Sequence, residues 1–202
     1  MPKHYHRKKK SLAMKAYKLA KSLQRGQETK HRSTANVQTN IDWDGTGPII
    51  INEPAQGTGD TDRIGDSIFC TSIRWRFIAD NEDSAASAVR VICFWDKKNT
   101  VTNVTDLLRV TGSPNALTSD YNVDKRGDYI ILYDKMINVD GVIALQKVGF
   151  VRLKIKKLTQ FADGGFTIEK GALKFIFISD VNSGAAAKPS YRANYRVYYT
   201  DS

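Results

Sequence analysis

The stretch Tyr191–Tyr199, which reads YRANYRVYY, carries the clearest structural signal in this chain. Aromatic or apolar residues occupy every second position, and Arg192, Asn194 and Arg196 lie between them. A period of two is typical of a strand with one face buried and the other in solvent. We therefore predict a half-buried antiparallel strand at this end of the chain.

Further strand patterns lie upstream of this stretch. In one of them, the alternation places Phe69 on the apolar face and Cys70 on the opposite face. Another segment is apolar on both faces, which indicates burial on both sides. The predicted strands are Ser67–Ala79, Val89–Asp96, Tyr129–Val139, Gly149–Leu158 and Leu173–Ser179, with weaker ones at Val37–Ile41 and Ile49–Asn52.

Together these segments predict an all-β domain. Six clear strands and two or three weaker ones, joined by turn-rich segments, favour a two-sheet sandwich. The long connections favour an eight-stranded antiparallel jelly roll over a simple meander, while composition alone does not separate it from an immunoglobulin-like sandwich. One short helix is predicted at Thr105–Val110, with Thr105 as its cap. The predicted domains are a basic arm over residues 1–35 and a β-domain over residues 36–202.

Charge is distributed unevenly along the 202 residues. Residues 1–32 contain 11 of the 31 Lys and Arg residues but one of the 21 acidic residues, Glu28, and so have a net charge of +10. The rest of the chain has no net charge. A neutral domain with a basic arm is typical of a protein that binds a polyanion. Nucleic acid binds clustered Lys and Arg by counterion release, without a folded pocket.

Other interpretations of the arm fit less well. A solubilising tail does not need such a strong bias of sign. A membrane-surface helix usually carries apolar residues bulkier than Ala, and a mitochondrial transit peptide is richer in Arg than in Lys. The segment Ser11–Gln24 has apolar residues at helical spacing. We therefore expect a disordered arm that becomes helical on its partner.

The candidate nucleic-acid-binding residues are the basic side chains of this arm and three that alternate along one strand. For the strand residues, an ordinary solvated face is an equally good interpretation. A weaker pair, Arg74 and Arg76, is interpreted as partners of nearby Asp side chains. The run Arg7, Lys8, Lys9 and Lys10 also resembles a nuclear-import signal. The candidates are Lys3, Arg7, Lys8, Lys9, Lys10, Lys15, Lys18, Lys21, Arg25, Lys30 and Arg32 in the arm, and Arg152, Lys154 and Lys156 in the strand.

The β-domain lacks the residues of common catalytic centres. The three histidines, His4, His6 and His31, all precede residue 33, which excludes Ser-His-Asp, Cys-His and His-ligated zinc chemistry in the rest of the chain. Cys70 and Cys93 lie in strand patterns, where a cysteine is usually a small buried hydrophobe. We predict no enzymatic activity, no metal and no cofactor. No stretch approaches the roughly 18 apolar residues of a membrane span, so no membrane partner is expected.

Five segments of the β-domain resemble one known family in their order and spacing. They are Arg63–Ile68, Val89–Lys97, Lys125–Lys135, Gly171–Asp180 and Tyr195–Asp201. They are similar to the capsid proteins of small circular single-stranded DNA viruses that encode Rep, the group related to circoviruses and geminiviruses. The resemblance covers roughly residues 60–202, and the arm matches in type only. Many relatives have Arg-rich arms, whereas this arm has eight Lys and three Arg.

The resemblance implies a single jelly roll, similar to that of small satellite plant viruses, that self-assembles into an icosahedral shell of 60 copies or a multiple. The arm would bind single-stranded DNA inside the virion, although charge alone does not distinguish DNA from RNA. A nuclear import receptor would bind the residues from Arg7 to Lys10, which implies the host nucleus as the place of assembly. Two alternatives stay open. One is a cellular nucleic-acid-binding β-domain that acts as a monomer or small oligomer. The other is a cupin-type enzyme, which the missing histidines argue against.

Overall fold

A computed structural model describes residue 14 and residues 28–81, 86–109, 116–139, 146–182, 184–185 and 187–202. Most of these residues lie in strands, as the alternating patterns predict. The elements are β1 (Lys30–Gln38), β2 (Thr46–Ile50), β3 (Ser67–Asn81), β4 (Ser87–Asp96), α1 (Val104–Leu107), β5 (Tyr129–Val139), β6 (Gln146–Phe161), β7 (Ile168–Lys170), β8 (Ala172–Ser179) and β9 (Pro189–Asp201). Within the described residues, no helix is long and apolar enough to span a membrane.

The strands form two antiparallel sheets. The five-stranded sheet has the order β1-β9-β3-β6-β7, and the four-stranded sheet has the order β2-β8-β4-β5. Successive strands from β1 to β4 alternate between the sheets, and the first strand pairs with the last. With the three-residue β7 set aside as an edge addition, this is the eight-stranded order of a jelly roll with two Greek keys. The predicted fold class is confirmed.

An aromatic cluster lies at the centre of the core and joins the two sheets. Trp75 of β3 lies edge-on to Tyr133 of β5 and Phe175 of β8, with ring centroids 5.2 Å apart in both pairs. Its Nε1 donates a hydrogen bond to the Tyr191 hydroxyl at 3.0 Å. Such edge-to-face pairs add stability beyond the buried area, and the hydrogen bond satisfies the buried indole N–H. The inward side chains of β9 contribute to this cluster, as their spacing predicts.

β3 departs from the strict alternation that the sequence predicts. Its register with both β6 and β9 shifts between Cys70 and Ser72. Before the shift, Ile68 and Cys70 are fully buried, and after it Ile73 is. The prediction that Phe69 faces the core and Cys70 faces away is therefore wrong. An extra residue in a strand reverses which side chains face inward.

The outer face of the four-stranded sheet is covered by residues 97–109 and 116–128, and we call the stretch 97–128 that contains them the covering segment. Ile92, Phe94, Ile176 and Ile178 point outward from this sheet and pack against it. β8 is therefore apolar on both faces because both of its faces are buried. The burial predicted from its sequence is confirmed.

The short helix α1 lies in the covering segment and begins earlier than predicted. Its N-cap is Asn103, not Thr105. The Asp106 carboxylate accepts hydrogen bonds from the backbone N–H groups of Thr102 at 3.0 Å and Asn103 at 3.1 Å. It also contacts Lys125, and this contact holds the pKa of Asp106 at about 2. A carboxylate at the third helical position completes a capping box, which accounts for the earlier start.

Candidate nucleic-acid interface

The outer face of the five-stranded sheet is not covered by the covering segment, and it is strongly basic. We call it the open face. Its basic side chains alternate with buried residues along three neighbouring strands, so the strand period places them on one side. Asp80, near the end of β3, pairs with Arg192 of β9. The basic residues of this face are Arg74 and Arg76 on β3, Arg152, Lys154 and Lys156 on β6, and Arg192 and Arg196 on β9.

Three arginines lie side by side across the open face. Arg74 is the register partner of Arg152 on β6 and of Arg196 on β9. Neighbouring strands lie about 4.8 Å apart, so the three Cα atoms span about 10 Å. We call this set the arginine rung. Like charges directly opposite each other destabilise a sheet, so the stability of the fold does not account for it.

No carboxylate neutralises the arginine rung within the described part of the chain. The Arg196 Nε donates to the Ser33 hydroxyl at 3.0 Å, and none of the ion pairs among the described residues involves Arg74, Arg76, Arg152 or Arg196. The interpretation of Arg74 and Arg76 as partners of nearby Asp side chains is therefore not supported. Their charges are available to an external anion.

Aromatic rings lie between these cations. The guanidinium carbon of Arg74 is 5.2 Å from the ring centroid of Tyr198, and that of Arg76 is 6.0 Å from the ring centroid of Phe150. These distances are within cation–π range. Phe150 is 58% exposed, which is unusual for a phenylalanine. Exposed rings beside cations are the elements from which stacking sites for unpaired bases are built.

A groove of about 640 Å³ runs across this part of the sheet. Its outward lining includes Ser33, Arg74, Arg76, Phe150 and Arg196, and none of its lining residues is acidic. The groove therefore combines positive charge, an exposed ring and hydroxyl donors on one surface. Such a surface can bind phosphate groups and stack bases.

The predicted candidate residues of the arm fall into two groups. Most of them lie outside the described residues, as do the predicted helix over 11–24, apart from residue 14, and the import signal. These are Lys3, Arg7, Lys8, Lys9, Lys10, Lys15, Lys18, Lys21 and Arg25. Lys30 and Arg32 lie in β1, so the predicted arm boundary at residue 35 falls inside this strand.

Lys30 has partners within the domain. It is 5% exposed, and its Nζ lies 3.1 Å from Asp201 Oδ2 and donates to the Asp62 carbonyl at 2.9 Å. These contacts attach the start of β1 to the end of β9. Arg32 is half-buried beside Glu53, where burial raises the pKa of the carboxyl and the arginine opposes that shift. In this conformation Lys30 offers little surface to a phosphate.

The three candidate residues of β6 are all exposed. Arg152 and Lys154 lie on the open face, opposite Arg74 and Ser72 of β3. Lys156 lies at the register shift and has a left-handed backbone with φ of 52°, which is uncommon outside glycine. The sequence did not single out Phe150, which also lies on β6, or Arg196 and Tyr198 of β9, which the register places in the same rows of the sheet as Arg152 and Lys154, across β3.

On the opposite side of the molecule, two buried cations are paired with carboxylates. The Arg90 guanidinium donates to both oxygens of Asp134, from Nε at 2.9 Å and from Nη2 at 2.7 Å. Burial acts to raise the pKa of Asp134, but hydrogen bonds from Arg90 and Tyr121 lower it below its usual value. Lys174 and Asp96 form a buried pair with Nζ and Oδ2 2.9 Å apart. Cations beneath the covering segment are therefore neutralised within the fold.

Groups that carry enzymatic chemistry are not prominent in the described residues. Cys70 and Cys93 are buried free thiols. Burial raises the pKa of Cys70 to about 11, so its nucleophilic thiolate is scarce at neutral pH. The described residues contain no group of three or more His, Cys, Asp or Glu side chains that could hold a metal ion.

Comparison with known proteins gives structural similarity only. The structure of Desmodium yellow mottle tymovirus shares 8% sequence identity with a TM-score of 0.42, over 86% of this chain and 87% of that chain. Turnip yellow mosaic virus at 100 K shares 8% with a TM-score of 0.39, over 87% and 94% of the two chains. The Triatoma virus empty capsid shares 11% with a TM-score of 0.38, over 87% and 88%. No protein-family model and no curated protein matches the chain. At these scores the fold assignment rests on the strand order described above.

Proposed function

We propose that this chain is a non-enzymatic viral capsid protein that assembles into an icosahedral shell and packages single-stranded nucleic acid. The observation that carries the proposal is the junction of two features. Residues 1–29, with a net charge of +8, lead directly into the first strand of a jelly roll that is close to neutral, with a net charge of +2 over residues 30–202. A neutral domain can pack in many copies without strong mutual repulsion, while the arm supplies the counter-charge for the cargo.

The position of β1 supports these separate roles of the arm and the domain. β1 is an edge strand of the five-stranded sheet, so the arm joins the domain at the sheet that carries the open face. Lys30 anchors this junction through Asp201 and the Asp62 carbonyl. The arm and the open face, with Arg152, Lys154 and Lys156, then act on the same cargo.

We also propose the type of cargo and the place of assembly. The resemblance in the β-domain favours circular single-stranded DNA over RNA. The residues Arg7, Lys8, Lys9 and Lys10 serve first as a nuclear-import signal and then as phosphate ligands, because the two roles use the same charges at different times. The protein is therefore placed in the host nucleus during assembly and in the virion afterwards.

Velocity sedimentation of the full-length protein, read at 260 and 280 nm, tests the proposal. We expect a fast, narrow boundary with excess absorbance at 260 nm and cargo that is digested as single-stranded DNA after extraction. A full-length variant with Arg7, Lys8, Lys9 and Lys10 replaced by Gln should retain less cargo than wild type. The matched control replaces the exposed residues Arg109, Arg126, Lys135 and Lys147 by Gln, which removes the same charge from the domain.

A slow boundary from a protein that binds nucleic acid as a monomer would overturn the capsid proposal. That result would favour the alternative of a cellular binding domain, because the open face and the arm suit that function equally well. Fast particles without excess absorbance at 260 nm would overturn the packaging role while leaving the shell.

A further inference from the structure

We propose that the open face is itself a binding surface for single-stranded nucleic acid, with the arginine rung as its phosphate-binding centre and Phe150 as a base-stacking platform. This inference deepens the proposed function and assigns the cargo a second contact besides the arm. It rests on the register of three strands, on the rings between the cations and on the lack of a carboxylate partner for the rung among the described residues.

The charge of the arginine rung favours an anionic partner. Arg74, Arg152 and Arg196 share one row of the sheet, where like charges repel each other. No ion pair among the described residues offsets this repulsion. An anion on the face removes it, and planar guanidinium groups bind phosphate oxygens in pairs. The rung therefore fits a partner with closely spaced phosphates.

The exposed ring of Phe150 indicates which form of nucleic acid the open face binds. A duplex presents its phosphates but keeps its bases stacked on each other, so an exposed ring gains little from it. An unpaired strand has free base faces, which stack on aromatic side chains regardless of sequence. Phe150 is 58% exposed beside Arg76, and its ring lines the groove that also contains Arg74 and Arg196. The pairing of ring and cation selects a single strand.

The charge of the open face also indicates which partner occupies it. The arm of this chain is basic, so charge complementarity rules it out as the segment that covers a basic face. A second copy would need to present an acidic surface to the rung, and that arrangement is an outcome of the test below. A polyanion with stacking bases satisfies both the charge and the exposed ring.

Fluorescence anisotropy with a 20-nucleotide oligothymidylate tests the charge part, using the full-length protein at concentrations where it is unassembled. The rung variant is R74Q/R152Q/R196Q. Each phosphate contact to a single strand contributes a salt slope of about −0.7, so three lost contacts weaken binding about 100-fold at 0.1 M salt and reduce the slope by about 2. Arg152→Gln alone, at an exposed site, should weaken binding about fivefold. Thermal unfolding of each variant verifies that it folds.

The matched control is R109Q/R126Q/K135Q, which removes three exposed charges outside the open face, two in the covering segment and one on β5. It should weaken binding by less than about threefold, because no direct contact is lost. A rung variant that binds as tightly as this control would overturn the inference. If the rung variant instead changed the sedimentation of the protein with no effect on the oligonucleotide, the face would be a contact between copies, which also overturns it.

The stacking part is tested with Phe150→Ala on the oligothymidylate and on a 10-base-pair duplex with nearly the same number of phosphates. We expect about a 10-fold loss on the single strand and less than about a twofold loss on the duplex. Val148→Ala controls for the loss of an exposed apolar side chain on the same strand. Equal losses on both substrates, or none on either, would contradict selection of single strands.

These experiments can fail or succeed independently of the test of the capsid proposal. Sedimentation of wild-type protein decides whether particles form, and anisotropy on unassembled protein decides whether the open face binds. Particles with cargo but no effect of the rung variant would overturn this inference alone. Binding by the face without any particle would overturn the capsid proposal alone.

Discussion

The outer faces of the two sheets are built from the same kind of alternating strand but differ in their chemistry. The outer side of the four-stranded sheet is apolar and is covered by residues 97–109 and 116–128, and its buried cations Lys174 and Arg90 pair with Asp96 and Asp134. The five-stranded sheet presents arginines without carboxylate partners among the described residues. A charge removed from water needs a partner within the fold. A charge left in solvent beside like charges contributes nothing to stability and is available for an external anion.

The sequences of the two central strands reflect this difference. β8 reads ALKFIFIS and is buried along its whole length, with Lys174 as its single charge. β9 alternates buried aromatic residues with Arg192 and Arg196. The comparison predicts that substitutions on the covered side change stability, whereas substitutions on the open face change binding.

The largest expected effect is at the buried pair beneath the covering segment. Lys174→Met leaves Asp96, which is fully buried, without its cation. Breaking such a pair costs about 3–5 kcal/mol of the free energy of unfolding. Chemical denaturation measures this loss. The matched change on the open face, Lys154→Met, should alter stability by less than about 0.5 kcal/mol, and equal losses at the two sites would contradict the comparison.

A smaller loss is expected at Asp134, which binds Arg90 with both oxygens. Asp134→Asn should cost about 2 kcal/mol at neutral pH, because it removes a charge-assisted pair from a buried arginine. The pKa of Asp134 is lowered in the folded state, so its contribution is present above about pH 4 and is lost as the pH falls through the folded pKa. The difference in unfolding free energy between wild type and variant should therefore shrink in acid.

Urea denaturation at pH 7 and pH 3 measures that change. Asp124→Asn, at an exposed position in the covering segment, is the control and should have little effect at either pH. A stability difference for Asp134→Asn that grows as the pH falls would mean that the carboxylate is not held in its charged form by Arg90.

The smallest effect on the free energy of unfolding is expected at the arginine rung. There, a substitution should stabilise the protein, whereas the other substitutions destabilise it. Arg152→Gln removes repulsion with Arg74 and should raise the free energy of unfolding by about 0.5 kcal/mol. The gain should disappear in 1 M salt, where charges are screened beyond about 3 Å. Denaturation at low and high salt checks this, with Arg126→Gln as an exposed control outside the rung. A loss of stability in Arg152→Gln would show that the rung has a structural role.

The contrast between β9 and β1 shows how far the sequence predicts the fold. β9 was predictable because its inward side chains are aromatic and its outward ones polar. Only the end of β1, from Val37, falls in a predicted strand, and residues 30–35 were assigned to the arm because Lys30, Arg32 and Thr34 give the inward positions no apolar alternation. A strand at the margin of a sandwich is only partly covered by the other sheet, so its inward positions tolerate polar groups and the period of two in hydrophobicity is lost.

The open face was predictable in part. The alternation in β6 identifies Arg152 and Lys154 as sharing a side, since that depends on neighbours in sequence. Their alignment with Arg74 and Arg196 depends on the register of strands that are far apart in the chain. The shift after Cys70 affects that register, and its position cannot be read from composition or spacing. The basic surface predicted for the sheet was therefore one strand wide, whereas the basic residues of the open face occupy three strands.

Ultraviolet crosslinking of purified particles, followed by mass spectrometry of peptides that carry a nucleotide, tests directly whether cargo lies against the open face. If cargo lies against the open face, crosslinks should occur on peptides that contain Phe150 or Tyr198, in addition to those of the arm. Peptides of the covering segment, residues 97–128, serve as the internal control and should carry none. Crosslinks in the covering segment, with none on the open face, would contradict the account.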